Sequence, residues 1–136
     1  MNQIASNPAL RAAVVYIALL TLLAVPLVFN VIRLRRSLKV GILDGGNKDL
    51  ARAIRVHGNF TETAPFAIAL LLALPLAGAS TWIVHAVGLA ALVGRVAHAI
   101  GLSQSAGSSL GRIAGMLLTL TALIVGSVAL LAAALG

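Results

Sequence analysis

The chain has 136 residues, of which 60% are hydrophobic and 10% are charged. An average soluble domain has roughly 45–50% apolar and about 25% charged residues, so this composition excludes an ordinary water-soluble globule and a disordered chain. Ten Lys and Arg against three Asp and Glu give a formal net charge of +7, and there is no cysteine. Disulfides and protein thiol chemistry are therefore excluded. No zinc-finger spacing or aromatic platform accompanies the basic residues, so we expect no nucleic-acid partner. We expect the chain to lie in a bilayer instead.

Long apolar segments predict four helices, at about 9–36, 49–76, 81–102 and 110–135, within one domain over residues 1–136. The apolar part of the second helix, 64–77, is shorter than the roughly 20 residues that cross a bilayer, so something other than lipid must hold its first half. Asp44-Gly45-Gly46 predicts a turn, and Asn47 predicts a cap for the second helix. A small polar loop follows the third helix. The expected fold is an all-α integral membrane four-helix bundle.

The basic residues predict the orientation of this bundle. Most of them lie around the first loop, Arg112 lies beside the third loop, and the second loop has none. Because cytoplasmic loops collect Lys and Arg, we expect loops one and three in the cytoplasm and both termini outside it. Topology and contact with lipid headgroups account for the group at the end of the first helix, Arg33, Arg35, Arg36 and Lys39.

Polar residues interrupt the second and third helices at helical spacing. Four of them in the second helix are three, four and three residues apart, and they fall within an arc of about 80°: Arg52, Arg55, Asn59 and Glu62. In the third helix, Arg95 and His98 are three apart and share a face. Such residues cost about 2.5–3.5 kcal/mol each at the centre of a membrane helix, so they face protein or water.

Glu62 is the one carboxylate in the expected membrane region. A nearby arginine should keep it ionised, and the sequence leaves Arg95 and Arg55 as alternative partners. A purely structural network between helices is the alternative to a binding site. We interpret His57 and His85 as structural or interfacial, and the histidines lack the convergent spacing of a metal site. Gly111 and Gly115 form a G-x-x-x-G step that predicts close helix packing.

Two blocks resemble the membrane-associated proteins in eicosanoid and glutathione metabolism, the MAPEG family. They are Arg52-x-x-Arg55-x-x-x-Asn59-x-x-Glu62-x-x-Pro65-Phe66 and Gly94-Arg95-x-x-His98. The first loop and its flanks look most like a small bacterial inner-membrane branch of the family. The resemblance implies a homotrimer in the inner membrane that binds glutathione as cofactor near the cytoplasmic leaflet. It also implies a glutathione-dependent transferase or peroxidase that acts on lipophilic electrophiles.

The same resemblance implies a role for each matching residue. Glu62 would bind the ammonium of glutathione, Asn59 and Arg55 its γ-glutamyl end, and Arg95 with His98 would contact or orient the rest. Arg52 is a second candidate for binding, and Arg112 would stabilise the thiolate as the catalytic residue. Leu102 stands where relatives often place a Tyr, and the fourth helix has no Tyr. The alternative is therefore a non-catalytic protein that binds glutathione or a lipid headgroup.

A small multidrug transporter is a third hypothesis. It fits poorly, because such transporters place an essential Glu on the first helix, whereas this helix has no ionisable residue between 12 and 32.

Overall fold

The computed structural model describes residues 3–105 and 107–135 as a bundle of four long helices: α1 (Pro8–Leu38), α2 (Lys48–Leu76), α3 (Thr81–Gln104) and α4 (Leu110–Leu135). A single helical turn, Gln3–Ser6, precedes α1. All four helices are long and apolar enough to cross a membrane. The all-α four-helix fold class is therefore confirmed, and each helix begins and ends within two residues of the predicted bounds.

Local sequence signals explain where the helices begin. The Asn47 side chain accepts hydrogen bonds from the backbone N–H of Asp49 and of Leu50, both at 3.0 Å, and so caps α2. Ser80 caps α3 in the same manner. Two glycines of the first loop, Gly45 and Gly46, have φ of +57° and +77°, the left-handed region that glycine adopts without strain. The turn predicted there is present.

One boundary differs from the expectation. Ser103 and Gln104 belong to α3 rather than to the following loop. The hydroxyl of Ser103 donates to the carbonyl oxygen of Ala99 at 2.7 Å, one turn earlier, so this residue bonds to its own helix.

The centre of the bundle is formed by α2 and α3, each of which packs against all the other helices, whereas α1 and α4 do not touch within the described residues. Apolar side chains from every helix meet in one core: among the fully buried ones are Leu20, Leu71, Val84 and Ala122. A second, smaller cluster of Val56, Ala99 and Leu102 lies nearer the end of the bundle that carries the first and third loops, which we call the inner end. The polar side chains of α2 and α3 are placed around this smaller cluster.

The contact between α3 and α4 is unusually close because glycines face each other across it. A Cβ added to Gly115 would lie 2.5 Å from the backbone nitrogen of His98 and 2.6 Å from the carbonyl oxygen of Gly94. A Cβ on Gly94 would meet the Thr119 hydroxyl at 2.7 Å. The close packing predicted from the G-x-x-x-G step is present, and it brings the backbone of α4 against the polar residues of α3.

Candidate functional site

Arg95 lies at the centre of the inner half of the bundle and is 1% exposed. Its Nε donates to the Thr119 hydroxyl at 2.8 Å, and Nη1 donates to Asn59 Oδ1 at 2.8 Å and to the Thr63 hydroxyl at 2.9 Å. Nη2 donates to the carbonyl oxygen of Gly115 at 3.4 Å. Arg95 therefore ties α2, α3 and α4 together through uncharged oxygens.

Glu62 forms an ion pair with Arg55, whose Nη1 lies 2.9 Å from its Oε1. Of the two partners that the sequence left open, the structure selects Arg55. Arg95 does not fill this role because Asn59 and Thr63 face α3, whereas Glu62 lies on the outer side of α2. The side chains of Arg55 and Glu62 are 63% and 52% exposed, so the pair is accessible from outside the subunit.

His98 and Arg112 line the polar end of a groove along α3 and α4. The groove has a volume of about 450 Å³, and apolar side chains form its wall: Ile113, Met116 and Leu117. Arg112 donates through Nη1 to the carbonyl oxygen of Gly107, which fixes it against the third loop. His98 of α3 and Arg112 of α4 thus share one groove, whereas Arg55 forms its ion pair with Glu62 on the outer side of α2.

The polar residues of α2 do not share one environment. Asn59 is buried against Arg95, whereas Arg55 and Glu62 are exposed. Arg52 lines a different cavity, between the inner ends of α1, α2 and α3. Residues within an arc of about 80° on one helix can still have different surroundings, because they lie at different heights along it.

Sequence reasoning did not identify three groups that hold Arg95: the hydroxyls of Thr63 and Thr119 and the carbonyl oxygen of Gly115. A threonine in an apolar helix gives no signal of its own. The glycine step in α4 was the available signal, because it predicts that a neighbouring helix approaches near enough for its side chains to reach this backbone.

The four apolar helices define an integral membrane protein. It has buried polar residues around Arg95 and an exposed ion pair, Arg55–Glu62, on the outer side of α2. The model of the MAPEG family matches residues 13–132, and the chain belongs to the MAPEG family. No solved structure matches the chain.

Two curated relatives are similar to the chain. It is 44% identical over 86 residues to inner membrane protein YecN of Escherichia coli strain K12, a match that covers 63% of this chain and 66% of that protein. YecN of Escherichia coli O6:H1 strain CFT073 gives the same figures. The match spans just under two thirds of the length of these relatives. The predicted resemblance to a bacterial inner-membrane branch of the family is confirmed.

Proposed function

We propose that this protein binds glutathione at the inner end of the bundle and uses its thiolate to attack lipophilic electrophiles, as a transferase or peroxidase. The observation that carries the proposal is the exposed Arg55–Glu62 pair on the same helix as buried Asn59, together with the groove that His98 and Arg112 line. Glutathione carries two carboxylates, one ammonium and a thiol. A basic cluster with one accessible carboxylate complements that distribution of charge.

Each α2 side chain has a binding role in this proposal. Glu62 accepts hydrogen bonds from the ammonium, and Arg55 donates to a carboxylate, so glutathione replaces the internal ion pair with two ion pairs of its own. Asn59 Oδ1 already accepts from Arg95, which leaves the amide NH₂ to donate to the γ-glutamyl end. Arg95 therefore acts as a positioning residue that orients Asn59. Arg52 lines another cavity and has no role in this proposal.

Arg112 supplies the chemistry. A free thiol has a pKa near 8.5, and an adjacent guanidinium stabilises the thiolate, which is the nucleophile. The thiolate forms a bond to the electrophilic carbon as the leaving group departs with its electron pair. The wall of Ile113, Met116 and Leu117 gives an apolar molecule a route from the bilayer to that thiolate.

A neighbouring subunit completes the site. Arg55, Thr61 and Glu62 are exposed on the outer side of α2, with Glu62 about 21 Å along the helix from Lys48. Charged side chains at that depth are costly in lipid, so we propose that a second copy covers them, in a homotrimer as the family membership implies. The name of the relative YecN and the basic first loop support a bacterial inner membrane with both termini outside the cytoplasm.

Calorimetry of the purified protein with glutathione tests the binding step. Glu62→Gln removes the negative charge that receives the ammonium, and we expect it to weaken binding at least tenfold, about 1.4 kcal/mol. Asp49→Asn is the matched control, because Asp49 is an exposed carboxylate on the same helix that lines another cavity. Equal affinity of the Glu62→Gln variant and the wild type would refute the proposed site.

A second experiment separates an enzyme from a non-catalytic binder. The binder is favoured by one observation: Leu102 is buried where relatives often have a Tyr, and α4 offers no tyrosine hydroxyl. We expect Arg112→Gln to lose conjugation of a chlorinated dinitrobenzene while it still binds glutathione. If wild type turns over neither this electrophile nor an organic hydroperoxide, the binder is the correct function.

A further inference from the structure

A separate polar cavity lies between the inner ends of α1, α2 and α3. It has a volume of about 260 Å³. Its polar lining comes from all three helices: Asn30 and Arg33 of α1, Asp49 and Arg52 of α2, and Ser103 of α3. Of the residues predicted from the sequence to bind glutathione, Arg52 alone lines it, and Arg52 has no role in the proposed glutathione site.

Arg52, which lines this cavity, has an unsatisfied hydrogen-bond donor. Its Nε is buried, and in the described part of the chain it is the one buried side-chain nitrogen or oxygen that has no hydrogen-bond partner. Its Nη1 has weak contacts, with the Ser103 carbonyl oxygen at 3.5 Å and with a carboxylate oxygen of Asp49 at 3.9 Å. A buried donor without a partner destabilises the folded state, and more so when it is charged. The cavity thus favours a guest that brings an acceptor.

A second guanidinium faces the same cavity. Arg33 donates through Nη2 to Asn30 Oδ1 at 2.9 Å, a neutral acceptor that leaves its charge uncompensated. Arg33 is exposed, and the one acidic residue of the lining, Asp49, has a side chain that is 77% exposed, so solvent screens both charges. The cavity combines two positive charges with one negative charge.

We infer that this cavity binds a phosphate group, with Arg33 and Arg52 as its ligands. A phosphate has several acceptor oxygens in a tetrahedral arrangement, so it can bind guanidinium groups from two directions at once. One oxygen accepts from the partly exposed guanidinium of Arg52 while another accepts from Arg33. The positive-inside rule places these residues at the inner membrane surface, where both lipid phosphates and free phosphate are available.

Thermal unfolding of the detergent-purified full chain tests this inference, because a ligand that binds the folded state raises the midpoint. One arm adds inorganic phosphate against chloride at equal ionic strength. The other adds phosphatidylglycerol against diacylglycerol, which has the same acyl chains and no phosphate. We expect at least one phosphate compound to raise the wild-type midpoint, and we expect Arg52→Gln and Arg33→Gln to weaken the apparent affinity about tenfold. The matched control is Arg36→Gln, since Arg36 is exposed at the same end of α1 and does not line the cavity.

The outcomes identify the source of the phosphate or overturn the inference. A response to phosphatidylglycerol alone assigns a lipid headgroup, and a response to inorganic phosphate assigns the free ion. No response, or an equal loss in Arg36→Gln, overturns the site. Glutathione that stabilises wild type but not Arg52→Gln would place the cavity in the glutathione site and also overturn it. Without added ligand, Arg52→Gln should unfold no earlier than wild type, because it removes the unsatisfied donor; if it does not fold, Arg33→Gln carries the same test.

Discussion

The close contact of α3 with α4 predicts that replacing glycine by alanine lowers the stability at Gly115 and raises it at Gly58. A Cβ at Gly115 would lie 2.5 Å from the backbone nitrogen of His98, whereas a Cβ at Gly58 would meet nothing within 4 Å. Backbone atoms cannot rotate away as a side chain can. Gly115→Ala therefore has to separate α3 from α4 by about 1 Å to restore an ordinary contact.

That separation also breaks the hydrogen bond between Arg95 Nε and the Thr119 hydroxyl. The bond is 2.8 Å long, and about 1 Å more exceeds hydrogen-bond range. Overpacking costs about 1–3 kcal/mol, and a lost hydrogen bond to a charged group adds about 1.5–3 kcal/mol. The better helix propensity of Ala returns about 1 kcal/mol. We expect Gly115→Ala to lower the free energy of unfolding by about 1.5–5 kcal/mol and Gly58→Ala to raise it by up to about 1 kcal/mol.

Circular dichroism at 222 nm during unfolding in mixed detergent micelles gives both values under one condition. The Gly58→Ala variant is the matched control, because it adds the same methyl group to a helix. Equal stability of the two variants would show that α3 and α4 are not in backbone contact, and the account of how Arg95 is held would then be wrong.

Variants at three further positions test single contacts by the same unfolding assay. Thr119→Val removes the acceptor for Arg95 Nε without changing side-chain volume, so it should cost about 1.5–3 kcal/mol, whereas Thr119→Ser keeps the hydroxyl and most of the stability. Asn47→Ala removes the cap of α2 and should cost about 1 kcal/mol, whereas Asn47→Asp keeps an acceptor oxygen. Tyr16→Phe loses the hydrogen bond with His85 Nδ1 at 3.1 Å and should cost less than about 1.5 kcal/mol.

Each of these variants has a result that contradicts its reasoning. If Thr119→Ser is as unstable as Thr119→Val, then the methyl group of Thr119 and not its hydroxyl stabilises the bundle. If Asn47→Asp is as unstable as Asn47→Ala, then the side-chain oxygen at position 47 does not stabilise α2 as a cap. For Tyr16, the ring is expected to matter more than its hydroxyl, because a Cβ on Gly88 would lie 2.3 Å from the ring. Tyr16→Ala should therefore be clearly less stable than Tyr16→Phe, and equal values would refute this.

Helix positions could be predicted from the sequence because each depends on local chemistry: an apolar run of bilayer length, a cap at Asn47 and a glycine turn. The family could also be predicted, since its motif residues stand at fixed spacing. The partners of individual polar side chains could not be predicted. Periodicity places Glu62 and Asn59 on one side of α2, but the rotation of α2 against α3 decides that Asn59 meets Arg95 while Glu62 stays outside. That rotation depends on how every helix packs, and no short stretch of sequence encodes it.

The buried Arg95 has a consequence for biogenesis. Its acceptors come from α2, which is synthesised before it, and from Gly115 and Thr119 of α4, which is synthesised after it. Until the fourth segment leaves the ribosome, the guanidinium lacks two of its five hydrogen bonds and resists partition into hydrocarbon. The third and fourth segments should therefore enter the bilayer as a hairpin. A nascent chain arrested before Gly115 should remain extractable by alkaline carbonate or be removed by membrane quality-control proteases.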